Sequence, residues 1–463
     1  MPAIVTKDFR VHNARQFSES FSESADTYYL GIGRPQAFAN DQAFNDGTDT
    51  SPPTPVDSVG SVEYYVYDDI LSAKKVTSSD ISLVIPRRNW TTGTVYDYYR
   101  HDYGEINSAG NTITTDSGAS TLLDATFYVM NSTFDVYKVI DNNGGAASTT
   151  EPTGNKTTSV FSTADSYKWK YMYSLTASEQ ANFMSTDFIH VSTNASDIST
   201  TAGAIEHVKV TAGGSGGSNG TYTNVDIRGD GSSGKCTVVV GSNAVTSVTI
   251  TTAGSGYTYA SVKASDIGNV SGADIDFIIS PPGGHGSDAI AELGGFFVMM
   301  NVDFTQGDGS GDFNTTNDFR RIVLLRNPTD STTGSTATAT TLDGTKSITF
   351  SGTPGSFQAD EKITQATSGA VGFVVDFNST TKVLRYIQPQ FTNQGVDSDG
   401  NLTAFSSTNT VTGATSSATG TPSSHDTTPE LTADTGDILY IENRKPITRA
   451  SDQTENVKLI VEF

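Results

Sequence analysis

The sequence predicts a mainly β protein, a multi-lobed β-sandwich fold with few short helices and with small β modules inserted between its parts. Three observations lead to this fold class. Charged residues make up 17% of the chain, against roughly 25% in average globular proteins. Ser, Thr, Asn and 44 Gly fill the difference, and these residues favour turns and disfavour helix interiors. Short apolar runs, separated by such turn residues, recur along most of the chain.

Charge and cysteine content exclude several classes of protein. The formal net charge of −23 is the opposite of a basic nucleic-acid-binding surface and is repelled by an anionic membrane. The single Cys236 excludes an internal disulfide and a zinc site built from cysteines. The longest apolar stretch, Ala289 to Met300, is too short to span a bilayer. With no signal peptide at the start, we expect folding in a cytoplasm.

The first hundred residues carry the clearest local patterns. Tyr28 to Gly33 reads as a buried strand that ends in a glycine turn. After the Pro-rich connector at 51–55, Asp57 or Ser58 is placed to cap a helix. That predicted helix has apolar residues at helical spacing and cations near its end, namely Val59, Val62, Val66 and Ile70, then Lys74 and Lys75. Ile81 to Ile85 is a short strand stopped by Pro86.

Residues 101–204 alternate short strands with turns. Phe127 to Met130 and Val136 to Ile140 are strand-like, and the Asn-Asn-Gly-Gly sequence from Asn142 is a turn. Thr176 and Glu179 have the spacing of a capping box, which predicts a short helix through Phe183.

Residues 205–280 contain an internal repeat. Val208 to Thr211 followed by Gly214-Ser215-Gly216 matches Val248 to Thr251 followed by Gly254-Ser255-Gly256. A strand and glycine turn of this size cannot bury its apolar face alone, so the two copies are expected to pack together. Two copies are too few for a long solenoid, and a small β-sandwich or barrel fits better.

A second β module is predicted at 331–425. Ser347 to Phe350, Ala370 to Val375 and Lys382 to Ile387 are strand-like. Long Ser/Thr/Gly runs, Thr332 to Thr341 and Ser406 to Ser424, flank these strands and are expected to behave as linkers.

The remaining residues predict strands at 322–325, 437–442 and 457–463, the last with alternating apolar residues. Gly307 to Phe319 reads as a polar loop. The predicted organisation has four parts: residues 1–100 with 286–330 and 426–463 form a core β domain; 101–204 form a second β and loop lobe; 205–285 form the inserted repeat module; and 331–425 form the inserted module flanked by Ser/Thr/Gly runs.

Few residues suggest chemistry. The acidic turns Asp308 to Asp312 and Asp397 to Asn401 lack the spaced ligands and terminal Glu of a calcium loop, which favours solvated turns. His285, within Gly-Gly-His-Gly, has no nucleophile motif beside it, which favours a close-approach turn over a general base. The tyrosines Tyr96, Tyr98, Tyr99 and Tyr103 could stack on sugars, but such residues also fill ordinary sheets. The sequence predicts no catalytic residue, no cofactor and no metal.

Both ends of the chain resemble the baseplate wedge protein eight of T-even-type contractile-tailed phages. The strongest segment runs from Tyr440 to Ile447 and continues through Asp452-Gln453-Thr454-Glu455 to Phe463. Further segments occur in the family's order, namely Gly33-Arg34, Pro52 to Val59, Ile85 to Trp90, Asp165 to Tyr171, Phe319-Arg320 and Asn327-Pro328. The two modules have no counterpart in that resemblance and are similar to additions in phages of aquatic bacteria, cyanophages included.

The resemblance implies a mainly β, non-enzymatic virion protein, made late and assembled into the tail baseplate. It implies a homodimer within each wedge, other wedge proteins as partners, and neither nucleic acid nor membrane as a partner. Its structural or interface candidates are Arg34, Arg87, Arg88, Trp90, Trp169, Glu442, Asn443, Arg444, Pro446, Asp452, Gln453 and Glu455. For Arg87, Arg88 and Trp90, an interface anchor and an internal ion pair stay open. A peripheral tail adhesin or polysaccharide depolymerase is the alternative function, because an acidic β-rich chain could hold a pair of catalytic carboxylates.

Overall fold

The computed structural model describes residues 6–23, 25–38, 47–55, 62–106, 110–193, 199–305, 317–390, 394–448 and 454–463, without the side chains of 62–65. Strands hold 42% of the residues and helices 9%. The predicted mainly β class is therefore confirmed. The predicted polar loop at 307–319 and the acidic turn at 308–312 lie almost wholly outside the described residues.

The elements follow one another in short steps. The α-helices are α1 (Lys7–Ser20), α2 (Ala177–Phe183) and α3 (Ala289–Leu293), and 3-10 helices cover Val62–Asp69, Ser78–Asp80 and Ala264–Ile267. The first strands are β1 (Tyr28–Gly33), β2 (Ile70–Val76), β3 (Ile81–Pro86), β4 (Tyr128–Met130), β5 (Asp135–Asp141), β6 (Phe161–Ser162), β7 (Lys168–Ser174), β8 (Phe188–His190), β9 (Ile205–Ser215), β10 (Gly220–Asp226), β11 (Arg228–Gly229), β12 (Lys235–Gly241), β13 (Ala244–Thr252), β14 (Ala260–Ser261) and β15 (Ser271–Ile279).

The elements that follow α3 in the described part of the chain are strands. They are β16 (Phe297–Phe304), β17 (Phe319–Arg326), β18 (Thr329–Asp330), β19 (Ser335–Thr336), β20 (Thr341–Asp343), β21 (Lys346–Phe350), β22 (Lys362–Gln365), β23 (Ala370–Asn378), β24 (Val383–Ile387), β25 (Val411–Gly413), β26 (Thr419–Gly420), β27 (Pro422–Asp426), β28 (Asp437–Ile447) and β29 (Glu455–Glu462). The larger sheets have the orders β20-β2-β1-β17-β28, β29-β16-β3-β8, β26-β25-β22-β23-β24-β21-β27, β4-β5-β7-β6 and β10-β12-β13.

The chain divides into two compact units. One contains Met1–Phe17, Ser82–Met299 and Ile460–Phe463, and the other contains Ser18–Ile81 and Met300–Leu459. We call them the first and the second unit. The four-part organisation expected from the sequence stays a prediction.

An aromatic core packs around the sheet β4-β5-β7-β6 of the first unit. Trp169 is fully buried, stacks on Tyr167 with ring centroids 5.4 Å apart, and donates from Nε1 to Thr163 Oγ1 at 3.0 Å. Tyr96, Tyr98 and Tyr99 are buried in the same core, so they are packing residues and not an exposed sugar-stacking surface. The predicted helix after Thr176 is confirmed as α2, with both hydrogen bonds of its capping box formed.

The repeat at 205–280 forms a small core of its own within the first unit. Valines and isoleucines of both copies, Val208, Val210, Val248 and Ile250 among them, pack on buried Cys236, Val238 and Tyr257. The two copies bend at equivalent glycines: φ is 69° at Gly214 and 65° at Gly254, then 73° at Gly216 and 72° at Gly256. The predicted packing of the two copies is therefore confirmed.

The second unit contains the five-stranded sheet and the seven-stranded sheet. β1, which is fully buried as predicted, lies between β2 and β17, with Leu30 opposite Leu324. The prediction of one helix over Val59 to Ile70 is wrong in part. A 3-10 helix ends at Asp69, and Ile70 begins β2, so Lys74 and Lys75 lie on a strand. Antiparallel pairing with β1 outweighs the helical spacing of the apolar residues.

The seven-stranded sheet has a core built from Ile348, Phe350, Ile363, Val374, Leu384, Tyr386, Phe405 and Val411. The strands predicted at 347–350, 370–375 and 382–387 are confirmed as β21, β23 and β24. The prediction that Ser406 to Ser424 is a linker is wrong. This run contributes β25, β26 and part of β27, because its few apolar residues, Val411 and Ala418, are buried against the sheet.

Candidate subunit interface

A buried ion-pair network lies at the centre of the second unit. Arg34 and Asn443, both candidates from the sequence, meet there around Asp69 and Arg321. Arg321 Nη1 donates to both carboxylate oxygens of Asp69 at 3.1 and 3.2 Å, and Arg321 Nε donates to Asn443 Oδ1 at 2.9 Å. Arg34 Nη1 lies 3.9 Å from Asp69 Oδ2. The two ends of the family resemblance, about 400 residues apart in sequence, are therefore joined by one network.

Arg34 takes an unusual backbone conformation in this network. Its φ is 58°, which costs a non-glycine residue on the order of 1 kcal/mol. The backbone N–H of Arg34 donates to the Asp69 carbonyl at 3.0 Å, and its Nε donates to the Gln36 carbonyl at 3.2 Å. Burial raises the pKa of Asp69, and the charges of Arg321 and Arg34 oppose that shift. Arg34 is fully buried and connects neighbouring segments inside the unit through these contacts.

Arg87 and Arg88 of the first unit also turn inward. Arg87 Nη1 donates to the Ser185 carbonyl at 2.9 Å. Arg88 donates to the Ala125 carbonyl and lies 5.0 Å from the Tyr128 ring centroid. Both guanidinium groups donate to main-chain carbonyls of other segments. These hydrogen bonds connect the segment after β3 to its neighbours. The structure thus gives both arginines internal hydrogen bonds, and the two alternatives expected for them, an interface anchor and an internal ion pair, stay predictions.

The two tryptophans among the candidates serve the core of the first unit. Trp90 is half-buried against that core and donates from Nε1 to Ser148 Oγ at 3.1 Å. Trp169 is fully buried.

The candidates on the last two strands surround a polar cavity of about 280 Å³ in the second unit. Glu442, Arg444 and Glu455 line it together with Lys458 and Asn456. Arg444 Nη1 lies 3.9 Å from Glu442 Oε1. Pro446 is half-buried near the end of β28, and Asp452 and Gln453 lie outside the described residues. The structure thus brings three of these candidates together.

An exposed apolar run on β28 was not predicted from the sequence. Ile438, Leu439 and Tyr440 are 37%, 42% and 39% exposed, although they are consecutive residues of a strand. β28 is the last strand of its five-stranded sheet and pairs on one side with β17. The signal in the sequence was the absence of alternation: an apolar run without polar partners is typical of a strand that is covered on more than one side.

A second feature that the sequence analysis missed is a buried charge cluster in the first unit. Lys138 on β5 donates to Glu292 on α3, and both are buried. Glu292 Oε1 also accepts from the Gly286 N–H at 2.9 Å. His285 is buried, and burial lowers its pKa well below the ordinary value, with Lys138 adding to the shift. Its turn is a close approach, as predicted: a Cβ on Gly284 would lie 2.1 Å from the Thr200 carbonyl oxygen.

No group of three His, Cys, Asp or Glu side chains suited to a metal ion occurs in the described part of the chain. Within the same residues, the structure contains no helix that could cross a membrane.

Comparison with known families identifies the two ends of the chain. The family model described as Bacteriophage T4, Gp8 matches residues 3–148 and 393–463. The chain belongs to this family. It is a structural protein of a phage baseplate and a component of the virion tail. No curated protein matches the chain.

The matched segments place the features of this Gp8-family chain in context. They contain Arg34, Asp69 and Asn443 of the buried network, and they contain all of β28. They leave out Trp169, Arg321 and the whole repeat module. β28, which pairs only with β17 among the described strands, thus lies in the part of the chain that the family model matches.

Proposed function

We propose that this chain is a wedge subunit of a contractile-tail baseplate that scaffolds neighbouring wedge proteins and pairs with a second copy of itself along β28. The proposal includes a purely structural role, without catalysis, and a part in the rearrangement of the baseplate on host contact. The observation that carries it is the exposed apolar run of β28 at the edge of a sheet, within the segment that matches the family.

An edge strand of this kind invites pairing. The outer side of a terminal strand presents unpaired backbone N–H and C=O groups, and natural proteins usually protect such edges with short strands, charges or covering loops. β28 has eleven residues, and Ile438, Leu439 and Tyr440 are exposed at its start. Exposed apolar residues next to a free edge favour addition of another strand, whose backbone would satisfy the edge.

The charges of β28 favour a second copy as the occupant. Asp437 and Glu442 precede Arg444 and Lys445, so the strand is acidic at its start and basic at its end. Antiparallel pairing of two copies centred on Ile441 places Asp437 of each copy opposite Lys445 of the other. Such two-fold contacts are self-complementary, which is the commonest symmetry of protein dimers. Pro446, which lacks an N–H, falls just outside this pairing window.

Stiff units suit the baseplate role. A baseplate holds one arrangement before host contact and another afterwards, which requires rigid pieces joined by interfaces that can change. The buried Asp69–Arg321 pair and the aromatic core around Trp169 supply such rigidity inside each unit.

The test is the mass of the purified chain in solution, measured by light scattering during size-exclusion chromatography. The native chain is expected at twice its 48.9 kDa, and Leu439→Lys is expected to be a monomer because a charge cannot be buried in the pairing edge. Val95→Lys is the matched control, since Val95 is 44% exposed but lies outside any strand, and it should remain a dimer. A monomeric native chain, or a dimeric Leu439→Lys variant, would contradict the pairing.

A further inference from the structure

A groove of about 550 Å³ lies on the first unit where the family core meets the repeat module. One wall is formed by Asp102, Glu105, Ile106 and Ile113, which belong to the part matched by the family model. The other wall is formed by β14, the 3-10 helix at Ala264–Ile267 and β15, which the family model leaves unmatched. The groove therefore exists in this chain because of its inserted module. Its volume falls in the range of roughly 300–1,000 Å³ that is usual for ligand sites.

The lining of the groove is acidic. Asp102 and Asp276 share the guanidinium of Arg100, whose Nε lies 2.5 Å from Asp102 Oδ1 and whose Nη1 lies 2.8 Å from Asp276 Oδ2. Glu105 and Asp274 complete the acidic lining, and within the described residues neither of them forms an ion pair. Among the described residues that line the groove, four are acidic and none is a lysine or arginine, so the lining keeps an excess of negative charge.

Aliphatic side chains lie between these carboxylates. Ile106, Ile113, Val262 and Ile275 line the groove and are partly or largely exposed, whereas Ile267 and Val270 beneath them are buried in the core of the module. Ile106 is 64% exposed at the rim, which is high for an isoleucine. A ligand that covers this lining would remove Ile106 from water and meet the carboxylates with its own charged groups.

We propose that this groove binds an extended segment of a neighbouring tail protein that carries aliphatic side chains between lysines or arginines. Cationic groups match Glu105 and Asp274, and aliphatic groups match the isoleucines and valines between them. Nucleic acid and anionic lipid would be repelled by the same carboxylates. The inference rests on the proposed function for the origin of the partner, a neighbouring subunit of the tail.

The experiment uses the full chain and a fluorescein-labelled octapeptide of alternating lysine and valine, with fluorescence anisotropy as the readout. We expect saturable binding that weakens with added salt. The double variant Glu105→Lys/Asp274→Lys, and separately Ile106→Asp, should bind on the order of tenfold more weakly. A peptide of alternating glutamate and valine should not bind.

The strongly acidic chain requires a control for non-specific attraction. Asp399→Lys changes the same kind of charge on the exposed turn at 397–401, which is not part of the groove lining, and should bind the peptide like the native chain. No binding by the native chain, or equal weakening by Asp399→Lys, overturns the proposal. Leu439→Lys separates this site from the β28 pairing: it should lose the dimer and keep the peptide, whereas the groove variants should keep the dimer and lose the peptide.

Discussion

Arg321 on β17 and Asp69 at the end of a 3-10 helix form a buried ion pair, with Nη1 of the arginine 3.1 and 3.2 Å from the two carboxylate oxygens. Both side chains are 1% exposed. Taking such charges out of water is costly, and the pair is stable only because each partner neutralises the other. Arg34 after β1 lies beside the same carboxylate, and Asn443 on β28 accepts from Arg321, so the ion pair joins three separate stretches of the second unit.

The first prediction follows from that carboxylate. Asp69→Asn removes the carboxylate that pairs with the buried Arg321, and we expect it to lower the free energy of unfolding of the second unit by about 3–5 kcal/mol. Hydrogen exchange of peptides from β1 and β17 is the measurement. Asp399→Asn, on an exposed turn, is the control. It should change the free energy of unfolding derived from hydrogen exchange by less than about 0.5 kcal/mol. Unchanged protection of β1 in Asp69→Asn would refute the central role of this pair.

The neighbouring Asp68 predicts a pH dependence. Burial raises the pKa of Asp68 to about 7, although the Gln390 N–H donates to its Oδ2 at 2.9 Å. The unfolded chain gives up this proton near the ordinary aspartate pKa of 3.8, whereas the folded chain holds it up to about pH 7. The unfolded state therefore binds fewer protons in this window, and the contribution of Asp68 to stability falls as the pH rises from about 4 to 7.

Substitution isolates this effect. Asp68→Asn removes the titration and should stabilise the chain by roughly 1–3 kcal/mol at pH 8, with little effect at pH 4. Urea unfolding of both proteins at the two pH values is the measurement. A stabilisation that is equal at pH 4 and pH 8 would show that Asp68 is not the titrating group.

The repeat module gives a matched pair of glycine substitutions. Gly254 and Gly256 both have positive φ, 65° and 72°. A Cβ on Gly254 would lie 2.6 Å from the Ser232 carbonyl oxygen, whereas a Cβ on Gly256 would have nothing within 4 Å. Gly256→Ala should therefore cost about 1 kcal/mol from backbone strain alone, and Gly254→Ala about 3 kcal/mol because the backbone must also move.

Urea unfolding followed by circular dichroism measures both variants. Equal losses of stability in the two variants would mean that the close approach at Gly254 relaxes without cost.

The seven-stranded sheet is predicted to be removable. Its two connections leave the five-stranded sheet side by side: the Asp343 N–H donates to Glu430 Oε2 at 2.9 Å, and the Leu431 N–H donates to the Asp343 carbonyl at 3.1 Å. Replacing residues 346–428 by a short Gly/Ser linker therefore closes a small gap, and loop closure costs little. We expect a soluble protein that unfolds cooperatively, measured by calorimetry.

Asp68 provides the control for this excision, because its Gln390 contact is lost. The excised chain should be compared with and without Asp68→Asn, so that an exposed carboxylate is not mistaken for damage to the fold. Aggregation of both forms would contradict the prediction. It would mean that the rest of the chain needs the seven-stranded sheet in order to fold.

The sequence by itself determined the elements whose signals are local. Turn glycines, the capping box at Thr176 and the apolar pattern of β1 act through backbone dihedrals and side-chain spacing, which neighbouring residues set. The motifs at the two ends were enough to indicate the family, because their order along the chain is itself specific.

Tertiary structure decided what depends on distant partners. Helical spacing at Val66 and Ile70 gave way to strand pairing with β1, and the polar run from Ser406 became strands because Val411 could be buried. The meeting of Arg34, Asp69 and Arg321 and the position of β28 at the end of its sheet likewise arise from which strands pair. Strand pairing joins residues hundreds of positions apart. The energy of such contacts depends on the distant partner, so the local sequence does not predict it.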